Sequence, residues 1–158
     1  MYTEIEEHQI TTETVESIGQ FAILWGMFEE KYFDRCCTSA KLKKLQVIKY
    51  TEPLIHMTNC IKDALLSLYL SPEETLKRLC IRNNEKDLIE IILSIFDDDA
   101  CAESKIYASI CICFRIRNNS FHGEKVFWTL NNQREIIDSC SSFLNCLLRE
   151  DEVFQVLA

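Results

Sequence analysis

Apolar residues recur at helical spacing in several long stretches of this 158-residue chain. Val15, Ile18, Phe21, Trp25, Phe28 and Tyr32 share one face of a first helix ending near Phe33, preceded by an acidic arm over residues 1–12. Cys36-Cys37 closes that helix, and Thr38 to Lys44 reads as a connector. A second helix spans about Thr51 to Leu70, with Leu54, Met57, Ile61, Ala64, Leu65 and Leu68 inward; Pro53 falls in its first turn, where a missing N–H does no harm. Ser71-Pro72-Glu73-Glu74 combines a capping box with proline at the first helical position and opens a short helix. Asn84 is predicted to cap another, carrying Leu88, Ile89, Ile92 and Ile95.

Asp97-Asp98-Asp99 interrupts the pattern, and its last member is predicted to cap a helix reaching Arg117 with Ile106, Ile110, Cys113 and Phe114 inward. The three acids lack the alternating spacing and terminal glutamate of a calcium loop. Beyond the apolar connector Val126-Phe127-Trp128, Asn132-Gln133-Arg134-Glu135 reads as a second capping box. It starts a last long helix with Ile136, Cys140, Phe143, Leu144 and Leu147 on its core face. Four principal helices plus short extra ones predict an all-α helical bundle. The length suits one domain, residues 1–158, and three glycines with two prolines leave little material for the turns of an all-β fold.

The net charge of −8 argues against a surface coated by nucleic acid, but the charge is unevenly laid out. Residues 1–30 hold seven glutamates and no lysine or arginine, whereas 31–49 carry Lys31, Arg35, Lys41, Lys43, Lys44 and Lys49 against Asp34. Residues 104–134 hold Lys105, Arg115, Arg117, Lys125 and Arg134 against Glu124 alone, which permits a local phosphate-binding groove. No stretch reaches the ~18 uncharged apolar residues of a membrane span, and the acidic N-terminus is unlike a signal peptide, so a cytoplasmic protein is expected. The nine cysteines form no Cys-x-x-Cys or Cys/His zinc spacing and read as reduced core thiols, with a redox switch at Cys36-Cys37 as the alternative. No metal and no cofactor is expected.

Gly-rich phosphate loops, His-Glu-x-x-His and Gly-x-Ser-x-Gly are absent from the sequence. The segment that carries chemistry is Arg117-Asn118-Asn119-Ser120-Phe121-His122-Gly123. Arg117 follows Phe114 by three positions and Ile110 by seven, so it falls on the inward stripe of its helix. There a guanidinium, which cannot shed its charge, must be paired or open onto a groove. His122 titrates near neutral pH, Asn118 and Asn119 can leave helical geometry and supply amide hydrogen bonds, and Gly123 allows a close approach of backbone or phosphate. His8 and His56 read as surface residues.

An all-α bundle with Arg-Asn-Asn-Ser-Phe-His-Gly-Glu-Lys between its last two long helices resembles the HEPN superfamily, whose signature is Arg-x4–6-His. Trp25, Phe28, Glu29, Tyr32 and Phe33 in the first helix are similar to the pattern of many members. The resemblance implies a metal-independent endoribonuclease, often a toxin or phage-defence effector, acting on RNA as a homodimer through the Arg117–His122 face. Arg117 and His122 would be the catalytic pair, with Asn118, Asn119 and Lys125 on the substrate side. It also implies an antitoxin or regulatory protein as a further partner. Members inactivated by a nucleotidyltransferase antitoxin carry tyrosine two positions after the histidine, where this chain has Glu124. Some members only bind, so a non-catalytic RNA- or nucleotide-binding module is the alternative, and a structural adaptor in which Arg117 is an ion-pair partner is a third reading.

Overall fold

The computed structural model describes residues 4–5, 8–121 and 131–158. The described residues form an all-α bundle with seven α-helices. The four long ones are α1 (Thr12–Phe33), α3 (Glu52–Tyr69), α6 (Ala102–Phe121) and α7 (Arg134–Arg149). The short ones are α2 (Ser39–Leu42), α4 (Pro72–Arg78) and α5 (Lys86–Leu93), the last continued by a 3₁₀ turn at Ser94–Phe96. Among the described residues no helix is long and apolar enough to cross a membrane.

The predicted stripes build the core. Ile136, Cys140, Phe143, Leu144 and Leu147 are fully buried, and α7 packs them between α1 and α3. Leu54, Ile61, Ala64 and Leu65 face it from α3, with Met57 and Leu68 at the margin of the core. On α1 the buried face is Thr14, Ser17, Phe21, Leu24, Trp25 and Phe28, so Val15, expected inward, is left exposed. Trp25 lies against Phe28 and Phe114 with ring centroids 5.1 and 6.0 Å apart, an aromatic contact that brings α1 onto α6.

Helix ends follow capping chemistry where a side chain is free to cap. Ser71 Oγ accepts from the Glu74 N–H at 3.1 Å, as the capping box requires. Thr38 caps α2 in the same way through the Lys41 N–H, so the expected connector contains a short helix. Three expected caps are replaced. Glu85, not Asn84, precedes α5, and it gives no cap bond because its carboxylate is used elsewhere. Asp99 does not cap α6: its N–H is held by Asp97 Oδ1 at 2.9 Å in a local turn that competes with helix initiation. The residue before α7 is Gln133, the last of a 3₁₀ turn over 131–133, and it makes no side-chain cap bond, so the Asn132 capping box does not form.

Two small sheets were not legible as strands. β1 (Glu4–Ile5) pairs antiparallel with β2 (His8–Gln9), and β3 (Leu45–Val47) with β4 (Phe154–Val156). Such short pieces show no alternation to read, and pairing decides them. The second pair, with Val47 opposite Phe154, seats the Phe154 ring 5.6 Å from Tyr32 and 6.3 Å from Phe28.

Candidate functional site

α6 is the most enclosed helix of the bundle. Ile106, Ala108, Ser109, Ile110 and every residue from Cys111 to Phe114 are buried, as is Ile116, so the helix is covered nearly all round. Half-buried polar groups flank that enclosed stretch: Ser104, Lys105 and Tyr107 in the first turns, Arg115, Arg117 and Asn118 in the last.

The two arginines have opposite circumstances. One terminal nitrogen of Arg115 donates to both carboxylate oxygens of Glu85, at 3.0 Å each. Arg117 instead donates from Nη1 to its neighbour Asn118 Oδ1 at 3.0 Å, and among the described residues no carboxylate lies within ion-pair distance of it. The inward-stripe expectation holds in part, since Arg117 is half-buried rather than enclosed. The amide dipole fixes one end of the guanidinium without neutralising it, leaving further N–H donors for an anion. Asn119 is turned inside: it is only 5% exposed, and its Nδ2 has no hydrogen-bond partner among the described residues.

Arg117, near the end of α6, is close enough to the turn between α1 and α2 to act electrostatically on Cys37. α1 stops at Phe33 because Asp34 and Arg35 adopt left-handed backbone, with φ of 51° and 80°. Cys36-Cys37 therefore lies beyond the helix, in the turn, rather than closing it. Cys36 is exposed, whereas Cys37 is buried and its N–H donates to Glu29 Oε2 at 2.8 Å. Burial, reinforced by the Glu29 carboxylate, pushes the Cys37 thiol up to about 12, and the positive charge of Arg117 works against the rise. Glu29 and Arg117 thus act on the same thiol with opposite sign, a relation that sequence spacing could not indicate.

The basic run following α1 is partly spent on structure. Lys31 Nζ donates to the Glu150 carbonyl and Lys41 Nζ to the Cys36 carbonyl, each at 3.0 Å. His56 is exposed, as expected, with Nε2 3.7 Å from Cys60 Sγ. The cysteines divide: Cys37, Cys111, Cys113 and Cys140 are buried, while Cys36, Cys80 and Cys101 are exposed, so the core-thiol reading fails for those three. Among the described residues no group of His, Cys, Asp and Glu is arranged to hold a metal ion.

The described residues therefore bring Arg117 and Asn118 together and place Asn119 beneath them. His122 and Lys125 lie outside the described residues, as do Gly123, Glu124 and the Val126-Phe127-Trp128 connector. What sequence reasoning missed is the Arg115–Glu85 pair, whose only advance signal is a carboxylate 30 positions upstream. No family model matches the chain, and no curated protein or solved structure is significantly similar to it.

Proposed function

We infer that the C-terminal end of α6 is the working edge of a metal-independent endoribonuclease of the HEPN type, a cytoplasmic toxin or phage-defence effector that cleaves RNA. The observation that carries this reading is the state of Arg117: a half-buried guanidinium fastened by a neutral amide, with no carboxylate at ion-pair distance among the described residues. A purely structural arginine would be paired as Arg115 is.

In the reaction, His122 removes the proton of a ribose 2′-OH, and the oxygen attacks the adjacent phosphorus in line. Arg117 donates to the non-bridging oxygens as charge grows on the phosphorane. The P–O5′ bond then breaks, leaving a 2′,3′-cyclic phosphate and a 5′-hydroxyl. The leaving oxygen needs a proton, and one chain offers a single imidazole in this motif. A two-fold dimer joined through the Arg117–His122 faces supplies the second, together with a second guanidinium. Asn118 acts as the positioning residue for Arg117, Asn119 supports the helix end from inside, and Lys125 adds charge for the RNA backbone. An antitoxin or regulatory protein would act by covering this face.

Incubation of the purified protein with total RNA in EDTA tests the reading. Fragments ending in 2′,3′-cyclic phosphate are expected. RNA that stays intact at stoichiometric protein would remove the enzyme, and RNA bound but uncleaved would favour the non-catalytic module.

A further inference from the structure

A cavity that Arg117 does not line opens where α2, α5 and α6 meet around a space of about 570 Å³. That is within the ~300–1,000 Å³ typical of small-molecule sites. Its floor is apolar. Leu42 and Phe114 are buried, and Leu88, Ile91 and Tyr107 present half-buried faces to it. The Tyr107 hydroxyl donates to the Leu42 carbonyl at 3.1 Å, which closes one wall and leaves the ring, rather than the hydroxyl, to the cavity. Cys111 lies below, buried, with its thiol pushed up to about 12 by desolvation, so the floor offers no thiolate.

The rim is charged and unevenly compensated. Arg115 and Glu85 neutralise one another there. Lys43 and Lys86 are exposed and, among the described residues, have no ion-pair partner; Asp87 is the one free carboxylate beside them. Two free ammonium groups against one free carboxylate favour an anion. The Asp87 carboxylate opposes a multiply charged ligand, so a single negative charge suits the rim best. The apolar floor requires an apolar body behind that charge, because an unfilled apolar cavity forgoes the burial it could provide.

We propose that the α2–α5–α6 cavity is a binding site for a small amphipathic carboxylic acid, its apolar body on Leu88, Ile91, Tyr107 and Phe114 and its carboxylate between Lys43 and Lys86. The site is separate from the Arg117 face and stands whether or not the chain cleaves RNA. Its body is aliphatic or aromatic, and the two are told apart by probes.

Decanoate and 2-naphthoate are titrated into the full chain below micelle-forming concentration, followed by heteronuclear NMR and calorimetry, with decanol as the uncharged control. One or both acids should bind, shifting the amides of Leu88 and Ile91, and the tighter one identifies the body. Lys43→Gln with Lys86→Gln should weaken the acid about tenfold and leave decanol unchanged. Leu88→Trp, checked for native circular dichroism, should abolish binding by filling the space. The proposal is overturned if neither acid binds at millimolar concentration or if decanol binds as tightly as decanoate. It is equally overturned if the lysine double variant binds like the wild type, or if the folded Leu88→Trp protein still binds.

Discussion

One terminal nitrogen of Arg115 reaches both carboxylate oxygens of Glu85 at 3.0 Å, tying the second half of α6 to the residue that opens α5. Glu85 Oε1 also accepts from the Arg82 N–H at 3.1 Å, so a single carboxylate organises the loop before α5 and anchors it to the central helix. With side chains only 21% and 33% exposed, the pair is sheltered enough to matter for stability.

Arg115→Ala should accordingly lower stability by about 2 kcal/mol, the scale of a charge-assisted hydrogen bond whose partner is left unpaired. Urea unfolding reads the change as a lower midpoint with an unchanged slope. A midpoint equal to wild type would reduce the pair to a surface contact.

Arg117→Met should behave oppositely. It removes a half-buried charge that has no carboxylate at ion-pair distance among the described residues and restores an apolar side chain of similar length, so stability should be unchanged within ~0.5 kcal/mol or should rise. RNA cleavage should disappear. Thermal unfolding at matched concentration, with dimerisation checked, decides this; a large fall in midpoint would mean that Arg117 is a structural member and would revive the adaptor reading.

His122→Ala and Arg117→Ala should each reduce RNA cleavage by ~10²–10⁴, the usual scale for losing a general acid–base group or an electrostatic clamp. His56→Ala, on an exposed position of α3, should cleave as wild type does. Initial rates on a labelled RNA, with helical content measured by circular dichroism, make the comparison. An undiminished rate in His122→Ala would discard the catalytic pair.

The buried thiols make alkaline stability informative. Cys37 and Cys111 are each raised from an ordinary value of 9.0 to about 12 by burial. Below about pH 9 the thiol is protonated in folded and unfolded chains alike, and the native advantage is intact. Above it the unfolded chain ionises first, so stability falls by up to ~1.4 kcal/mol per pH unit for each group until pH approaches the folded value. Urea midpoints between pH 8 and 11 should therefore drop less steeply in Cys37→Ala than in the wild type, and parallel slopes would remove Cys37 from the account. At pH 8, alkylation should mark the exposed Cys36, Cys80 and Cys101 and spare Cys37, Cys111, Cys113 and Cys140.

The bundle was legible because each long helix must bury a face, and burial at 3.6-residue spacing leaves its mark on the residues themselves. The α7 set from Ile136 to Leu147 could be named in advance for that reason. Caps were read less well. Ser71 capped as expected because nothing else claims its hydroxyl, whereas the helix expected to begin at Asn84 starts after Glu85, whose carboxylate is bound to Arg115. Val15 was misplaced because it lies beside the true stripe, and only the docking of α1 on α7 decides which neighbour is covered.

The all-α bundle of four long helices, with Arg117 late in one of them, was readable from the chain because both follow from local periodicity. The docking of the helices, by contrast, is what commits Arg115 to a carboxylate 30 positions away while Arg117 is held by a neutral amide, buries Cys37 with its N–H on Glu29, and turns Asn119 inward beside a half-buried Asn118. Partnership between charges depends on distance through space, and distance through space is set by which helix faces dock, a property no single helix carries in its own spacing.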